Sequence, residues 1–432
     1  MAATTTFDGL AAIISKNAAI AAEHLRQNNL PTPSLLGGEA LNTTYLPPEI
    51  QAACLALQDA SLELHELVQG PRAILMNFST NAKTDAATIF QFALPQQIPL
   101  DDVEGITYAE LARRTGLAQS ALETILRAAI VYRVFREPSQ GRVAHSAASR
   151  LWATDPVLHD VLGLKILDNG LHVRFIAQAL ERHPRADEPA DSAASVLHAA
   201  LEGRQQDKDE QRATWFEILE REPARSGRAR TVMNMMDKRD GVSLRHLVSG
   251  YDWAALAPGS LVMDLGGGHG DAVVAIAKQF PHLKFQVQDL PQTIATAPKR
   301  ISQDLPVEFL AHSFLDPQPT AGAQVYLFRW VFHNWPDKYC VRILQTLVPA
   351  LRSGARVLVM DSVMPPVGGV PRALEREKRY MDLVMLANFN ARDRPAEAYE
   401  SLLSQADKRF EFLGIKRVEG SELCFIEASW RG

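Results

Sequence analysis

Three ionisable residues late in the chain have the types and settings for proton transfer. His333 stands just after the apolar segment Val325 to Arg329, in the run Phe332-His-Asn-Trp-Pro-Asp337. A neutral imidazole at the carboxyl end of a strand can take a proton from a hydroxyl group near pH 7. A carboxylate that orients the ring and steadies its charged form makes such a base more effective. Two acids could serve: Asp361, closing the strand Val357 to Met360, and Asp393 in Asn390-Ala-Arg-Asp-Arg394. Each, read alone, is also an ordinary solvated acid. Trp330, Phe332 and Trp335 offer an apolar wall for a flat substrate. Met381, Met385 and Asn388 recur at helical spacing as an apolar face with a polar tip, a pattern that is more often core than pocket.

A second constellation points to a cofactor. Ser260 to Leu265 reads as a buried strand that breaks into Gly266, Gly268 and Gly270, then opens a helix over Ala272 to Phe280. Glycines let a backbone approach a ligand where a side chain would clash. A second strand, Phe285 to Gln288, ends on Asp289, about twenty residues past the last glycine, where doubly wound sheets hold ribose hydroxyls. Acids at both ends of the turn, Asp264 and Asp271, do not invite a pyrophosphate. They suit a nucleoside cofactor with a positive charge and no phosphate, and S-adenosylmethionine is expected.

These groups need a scaffold, and the hydrophobic pattern predicts one. From Val262 onward strands and helices alternate, with further strands at Val307 to Leu310, Val325 to Arg329 and Val357 to Met360 and a helix over Lys338 to Leu351. This alternation predicts a parallel sheet with helices on both faces. Phe410 to Val418 and Glu422 to Ser429 predict an antiparallel hairpin closing the sheet edge. The expected fold class is α/β, a Rossmann-like doubly wound sheet in the C-terminal part.

Helices are expected over Thr5 to Leu30 and Glu49 to Val68, the second broken by Gly70-Pro71. Two more, Tyr108 to Thr115 and Ala121 to Tyr132, each follow a capping-box pattern (Thr107 with Glu110, Ser120 with Glu123). A hairpin turning at Ser139 to Gly141 comes next, and the set makes a winged helix-turn-helix. Its second helix offers bases only Gln119, Ser120 and Arg127, so a structural or dimerisation role is expected over DNA binding. Residues 180–213, charged and alanine-rich, are expected to form a solvated loop and an exposed helix, and Trp215 to Lys238 a helical region. The predicted division is an N-terminal helical, winged-helix dimerisation domain (1–155), a helical connector contributing to the substrate pocket (156–250) and a cofactor-binding catalytic domain (251–432).

At 432 residues the chain exceeds the usual size of one core. A hydrophobic fraction of 47%, a charged fraction of 22% and a net charge of -5 are ordinary for a soluble protein and give no reason to expect nucleic acid or an anionic membrane. Cys54, Cys340 and Cys424 lie far apart, match no metal-ligand spacing and suggest a reducing interior. No segment has the length of a membrane span or the pattern of a secretory signal, so a cytoplasmic location is expected.

Taken together, Asp264-Leu-Gly-Gly-Gly-His-Gly270, Gln288-Asp-Leu-Pro291, Phe332-His-Asn-Trp-Pro-Asp337, Val143-Ala-His-Ser146 and Phe425-Ile-Glu-Ala428 resemble a known family. It is that of the S-adenosylmethionine-dependent O-methyltransferases of the plant caffeate type, especially their fungal secondary-metabolism branch. The resemblance spans roughly Leu30 to Trp430. It implies a homodimer whose winged helix serves dimerisation and caps the substrate pocket. It places the glycine turn on the methionine part of the cofactor, Asp289 and Leu290 at the ribose, His312-Ser313-Phe314 along the adenine and Arg329 nearby as a basic residue. His333 matches the catalytic base, and Asp361 and Asp393 the acids that bracket it. The family's usual Glu-Arg-Thr is Asp-Arg-Pro here, and its adenine-loop acid is missing. The implied reaction is methylation of a hydroxyl on a small secondary metabolite, held by Thr231, Trp330, Met381, Met385 and Asn388. Some members instead keep the cofactor as a fixed charge and catalyse dehydrations or pericyclic rearrangements of polyketide-derived substrates. There Thr231, His333 or Lys338 would hydrogen-bond a substrate carbonyl.

Overall fold

The computed structural model describes residues 6–34, 46–79, 85–185, 187–203, 212–295, 297 and 305–432. The chain divides into two units, one made of Met1–Leu167 and Gly368–Glu377, the other of Asp168–Val367 and Lys378–Gly432.

In the first unit a helix over Phe7–Gln27 starts at Thr6, whose hydroxyl accepts from the Gly9 amide at 3.1 Å. The helical stretch Pro48–Ser79 breaks at Gly70, whose φ of 73° a side-chain-bearing residue rarely adopts. Three short strands, β1 (Ile106–Thr107), β2 (Phe135–Arg136) and β3 (Arg142–His145), pair antiparallel in the order β1-β3-β2. Thr107 caps the helix Tyr108–Thr115 by accepting from the Glu110 amide at 3.1 Å. The reciprocal half of this expected capping box is not made, since the Glu110 carboxylate pairs with Arg113 and Arg114, and the second expected capping box does not form at all. The next helix is Gln119–Val131, Ala118 precedes it without a side-chain bond, and Ser120 lies exposed in its first turn. Packing of Leu122, Leu126 and Ala129 against Tyr108, Leu111, Phe135 and Val143 sets the phase of that helix, and capping does not.

The second unit is built on one seven-stranded sheet of order β6-β5-β4-β7-β8-β10-β9. Its strands are β4 (Leu261–Leu265), β5 (Lys284–Asp289), β6 (Val307–Ala311), β7 (Val325–Arg329), β8 (Arg356–Asp361), β9 (Phe410–Arg417) and β10 (Cys424–Trp430). The first five are parallel, and β10 and β9 close one side as an antiparallel hairpin. Successive side chains of a strand point to opposite faces, so a sheet covered on both sides needs unbroken apolar runs. Val262, Phe285 and Leu327 pack with Val273 and Ile276 of the helix Asp271–Gln279. Met263, Tyr326 and Phe328 pack with Ile343 and Leu344 of the helix Asp337–Leu347. The strand order reverses at β4, with β5 and β6 on one side and β7 and β8 on the other. The carboxyl ends of β4 and β7 therefore flank the switch point, the place where open α/β sheets bind ligands.

The expectation of a solvated loop and exposed helix over 180–213 is corrected. A helix over Ala193–Leu201 is buried from Ala193 to Ala199 and packs on Val173, Ile176 and Ala387. Its sequence has no charge and mostly small side chains, which permits close packing; the charged residues around it set the average. Residues 204–211 lie outside the described ones. Trp215 to Lys238 forms two helices, Trp215–Arg221 and Pro223–Lys238, because Pro223 starts a new helix. Among the described residues no helix is long and apolar enough to cross a membrane.

Candidate active site

The turn after β4 is held by glycine conformations. Gly266, Gly268 and Gly270 have φ values of 73°, 59° and 82°. A Cβ on Gly266 would come within 3.0 Å of Val331 and 3.2 Å of Phe314, and one on Gly267 within 2.6 Å of the Asp264 carboxylate. Beside Gly268 there is open space. Asp289, at the end of β5, accepts from the Gly268 amide at 2.8 Å and from the Leu290 amide at 2.7 Å. Its carboxylate is thus fixed at the rim of the turn, while the Leu290 side chain is exposed. The His312 amide donates to the Asp289 carbonyl at 2.9 Å, the Ser313 hydroxyl accepts from the Leu315 amide at 3.3 Å, and Phe314 meets Trp335 edge to face.

Beneath this turn Asp264 is wholly buried, and neither carboxylate oxygen has a hydrogen-bond partner. Burial drives its pKa up to about 7, with Arg329 pulling it down and Asp289 pushing it up. A buried carboxyl without partners is costly, and one beneath an open glycine turn suits a positively charged ligand. Arg329 lies over the Trp330 ring at 5.2 Å and donates to the Val242 carbonyl at 2.8 Å. The residues present therefore fit a cationic nucleoside cofactor.

The loop after β7 carries His333 in a single turn, Phe332–Asn334. Trp330 opens this loop with φ of 57°, a left-handed backbone that an aromatic residue rarely tolerates and that marks constrained sites. The Nδ1 atom of His333 lies 3.4 Å from Asp361 Oδ1 and 3.6 Å from Asp393 Oδ1. Asp361 also accepts from the His333 amide at 3.1 Å and the Ser362 amide at 3.0 Å, so one buried acid fixes both the ring and its backbone. Burial opposes the imidazolium, but the Asp361 charge and the Asp393 carboxylate outweigh it and hold the His333 pKa above its ordinary value. The nitrogen and carboxylate atoms of these three residues lie within 4.8 Å of one another, a donor set of a size that could also hold a metal ion.

The residues expected to face a substrate are placed unevenly. The Trp330 ring lies 6.2 Å from that of His333. Met385 is buried and Met381 is 38% exposed. The Thr231 hydroxyl donates to the Gly227 carbonyl at 3.1 Å, one helical turn back. Lys338 is ion-paired with Asp187 at 2.7 Å and with Glu188. Asn388 is buried in a network that sequence reading missed. Its Oδ1 accepts from His172 Nδ1 at 2.7 Å, and its Nδ2 donates to Asn169 Oδ1 at 3.0 Å. With Nδ1 of His172 donating, its Nε2 must accept, so His198 Nε2 is the donor across their 3.3 Å contact. The signal was present: a histidine in the charge-free run Ala193 to Ala200 is a buried one. Arg394 was also missed. Its buried guanidinium donates to Asp337 and to the carbonyls of Phe332 and Trp335.

Burial lowers the His172 pKa to about 4, against the help of its Asn388 bond. The unfolded chain binds this proton near pH 6.5, so the folded state loses stability as pH falls from there toward 4. The expected loss is about 3 kcal/mol. Urea titrations of His172→Gln and the parent at pH 7 and pH 5 test this: the variant should show the smaller fall.

Residues 197–409 match the O-methyltransferase domain family. The chain is 34% identical to the grayanic acid biosynthesis cluster O-methyltransferase of Cladonia grayi, over 98% of this chain and 87% of that one. Among solved structures it superposes on OxaC in complex with sinefungin and meleagrin with a TM-score of 0.70 at 20% identity, covering 97% and 99% of the two chains. It also superposes on a pericyclic reaction enzyme, at 0.63 and 20%, covering 88% and 95%. At such identities the superpositions speak for the fold alone. Sequence identity over nearly the whole length says more, and by it the chain belongs to the S-adenosylmethionine-dependent O-methyltransferases of fungal secondary metabolism.

Proposed function

We propose that the protein methylates a hydroxyl of a small phenolic or enolic secondary metabolite, with His333 as general base. The observation that carries this reading is the pair of carboxylates facing His333 Nδ1 at 3.4 and 3.6 Å. They keep the proton on Nδ1 and leave the Nε2 lone pair to take a proton from a bound hydroxyl. We assign Asp264, Gly266, Gly268, Gly270, Asp289 and Leu290 to the cofactor's methionine and ribose parts, His312, Ser313 and Phe314 to its adenine, and Arg329 to the same site. Bound S-adenosylmethionine supplies a methyl group already activated by its sulfonium, which leaves alignment and deprotonation to the chain. Trp330 and Met385 would hold the substrate ring, with Met381, Thr231 and Asn388 around it.

Two observations disfavour the rival, a dehydratase or pericyclase that keeps its cofactor intact. Lys338 is committed to two acids and the Thr231 hydroxyl to its own helix, so neither is poised for a substrate carbonyl. The deciding experiment incubates the protein with S-adenosylmethionine and a panel of phenols and polyketide-derived enols, followed by mass spectrometry. A product heavier by one methyl group, with S-adenosylhomocysteine formed, is expected. An isomerised or dehydrated product with intact cofactor would overturn the reading.

We further assign residues 1–155 to a winged-helix dimerisation domain, 156–250 to a helical connector and 251–432 to the catalytic domain. Val131 and Tyr132, 79% and 51% exposed at the end of the second helix, support self-association of the first of these.

A further inference from the structure

The loop that bears His333 is constrained at its start, where Trp330 is left-handed, and holds only the single helical turn Phe332–Asn334, so its shape must be imposed by its surroundings. Arg394 supplies that constraint. Its Nη1 donates to the Phe332 carbonyl at 2.7 Å and its Nη2 to the Trp335 carbonyl at 2.6 Å. These two carbonyls flank His333 and Asn334. Its Nε donates to Asp337 Oδ1 at 2.8 Å, which balances the buried charge just past the loop. The Cys340 thiol reaches the same two carbonyls only at 3.5 Å, as a weak donor. The Arg394 carbonyl in turn accepts from the Met364 amide at 2.9 Å, which anchors it beside the segment following β8. Its neighbour Asp393 faces His333 Nδ1. One dipeptide thus holds the imidazole by charge and its backbone by a rigid planar fork, a geometry lysine cannot reproduce.

We propose that Arg394 is a positioning residue for methyl transfer: it fixes the His333 loop so that the imidazole keeps its place against Asp361 and Asp393. This rests on His333 being the base. The primary test needs no methyl acceptor. The imidazole of His333, assigned by loss of its signal in His333→Ala, is titrated by NMR in the parent and in Arg394→Lys, which keeps the positive charge. The midpoint is expected to fall toward the ordinary value in the variant as the carboxylates lose their hold. With a phenol that the parent methylates, kcat of Arg394→Lys should fall on the order of 100-fold, the effect of a displacement of about 1 Å at a reacting group. Cofactor affinity should change far less than kcat, because Arg394 itself bonds none of the residues assigned to the cofactor. In a His333→Ala background the same substitution should change the residual rate little, because the two act as a unit.

An unchanged midpoint with unchanged kcat overturns the proposal, and so does an equal loss in both backgrounds, which would make Arg394 a purely structural clamp. Full activity of His333→Ala would sink the base reading instead, and the midpoint shift would still report on positioning. Should Arg394→Lys give no folded protein, Asp337→Asn loosens the same fork from outside. It should shift the midpoint in the same sense by a smaller amount, and no shift counts against the proposal.

Discussion

His333→Ala is expected to lower kcat about 1000-fold and leave S-adenosylmethionine affinity within about twofold. The size follows from what general bases contribute when held in place, and His333 is held at its ring by Asp361 and Asp393 and at its amide by Asp361. The affinity should survive because the buried acid and glycine turn assigned to the cofactor belong to β4 and the segment after it. Single-turnover assays with a phenol that the parent methylates, together with cofactor titration by calorimetry, check both halves. Retained activity would remove the histidine from its role. The pH dependence has a defined sign. The base must be neutral, and its pKa is held up by the two carboxylates against the effect of burial. The rate should therefore rise with pH through a midpoint above the ordinary imidazole value of about 6.5. Asp393→Asn removes one of the two charges, so the midpoint should move down while the maximal rate falls.

Asp264→Asn is expected to make the free protein more stable above pH 7 and its cofactor binding at least about tenfold weaker. Asp264 keeps its proton to about pH 7 in the fold, whereas an unfolded aspartate loses it near 3.9. Between those values the folded state binds more protons, so stability falls as pH rises, by about 4 kcal/mol in total. Asparagine mimics the protonated acid, equally unpartnered, and cannot ionise. The variant and the parent should melt together at pH 4 and separate at pH 8. A cationic ligand reverses the balance, because it stabilises the ionised carboxylate. Binding by the parent near pH 6 should release up to about one proton, seen by calorimetry in buffers of different ionisation enthalpy, and binding by the variant none from this site. Equal affinities would show that Asp264 does not meet the cofactor's charge. His172 acts in the opposite sense over an overlapping range, since its stability term is lost as pH falls. Only variant-to-parent comparison at each pH separates the two.

How much of this was legible depended on whether the constraint was local. The turn after β4 was readable because a left-handed backbone at Gly266, Gly268 and Gly270 leaves its mark in residue type. The strands β7 and β8 were readable because burial on both faces demands apolar runs such as Val325 to Phe328 and Val357 to Met360. The start of the helix Gln119–Val131 was misread for the converse reason. A capping pattern contributes about 1 kcal/mol, and the packing of Leu122 and Leu126 outweighs it. The burial of Ala193–Ala199 was hidden by averaging over charged neighbours.

The residue types alone determined that an imidazole, Asp361, a glycine turn and Asp289 would lie at the carboxyl ends of parallel strands. Alternation of strands and helices leaves few other places for them. Only the tertiary structure decided what each side chain is free to do. Asp393 comes within 3.6 Å of His333 because the segment after the helix Arg372–Phe389 is tied to the residues following β8 through Val363 and Met364. Asn388 is locked to His172, a partner distant in sequence. Asp264 is left without a partner, and Arg394 is buried under the loop it braces. These partners and this burial are set by what the chain brings together across long sequence separations, which the local patterns around Asp264, Asn388, Asp393 and Arg394 do not encode.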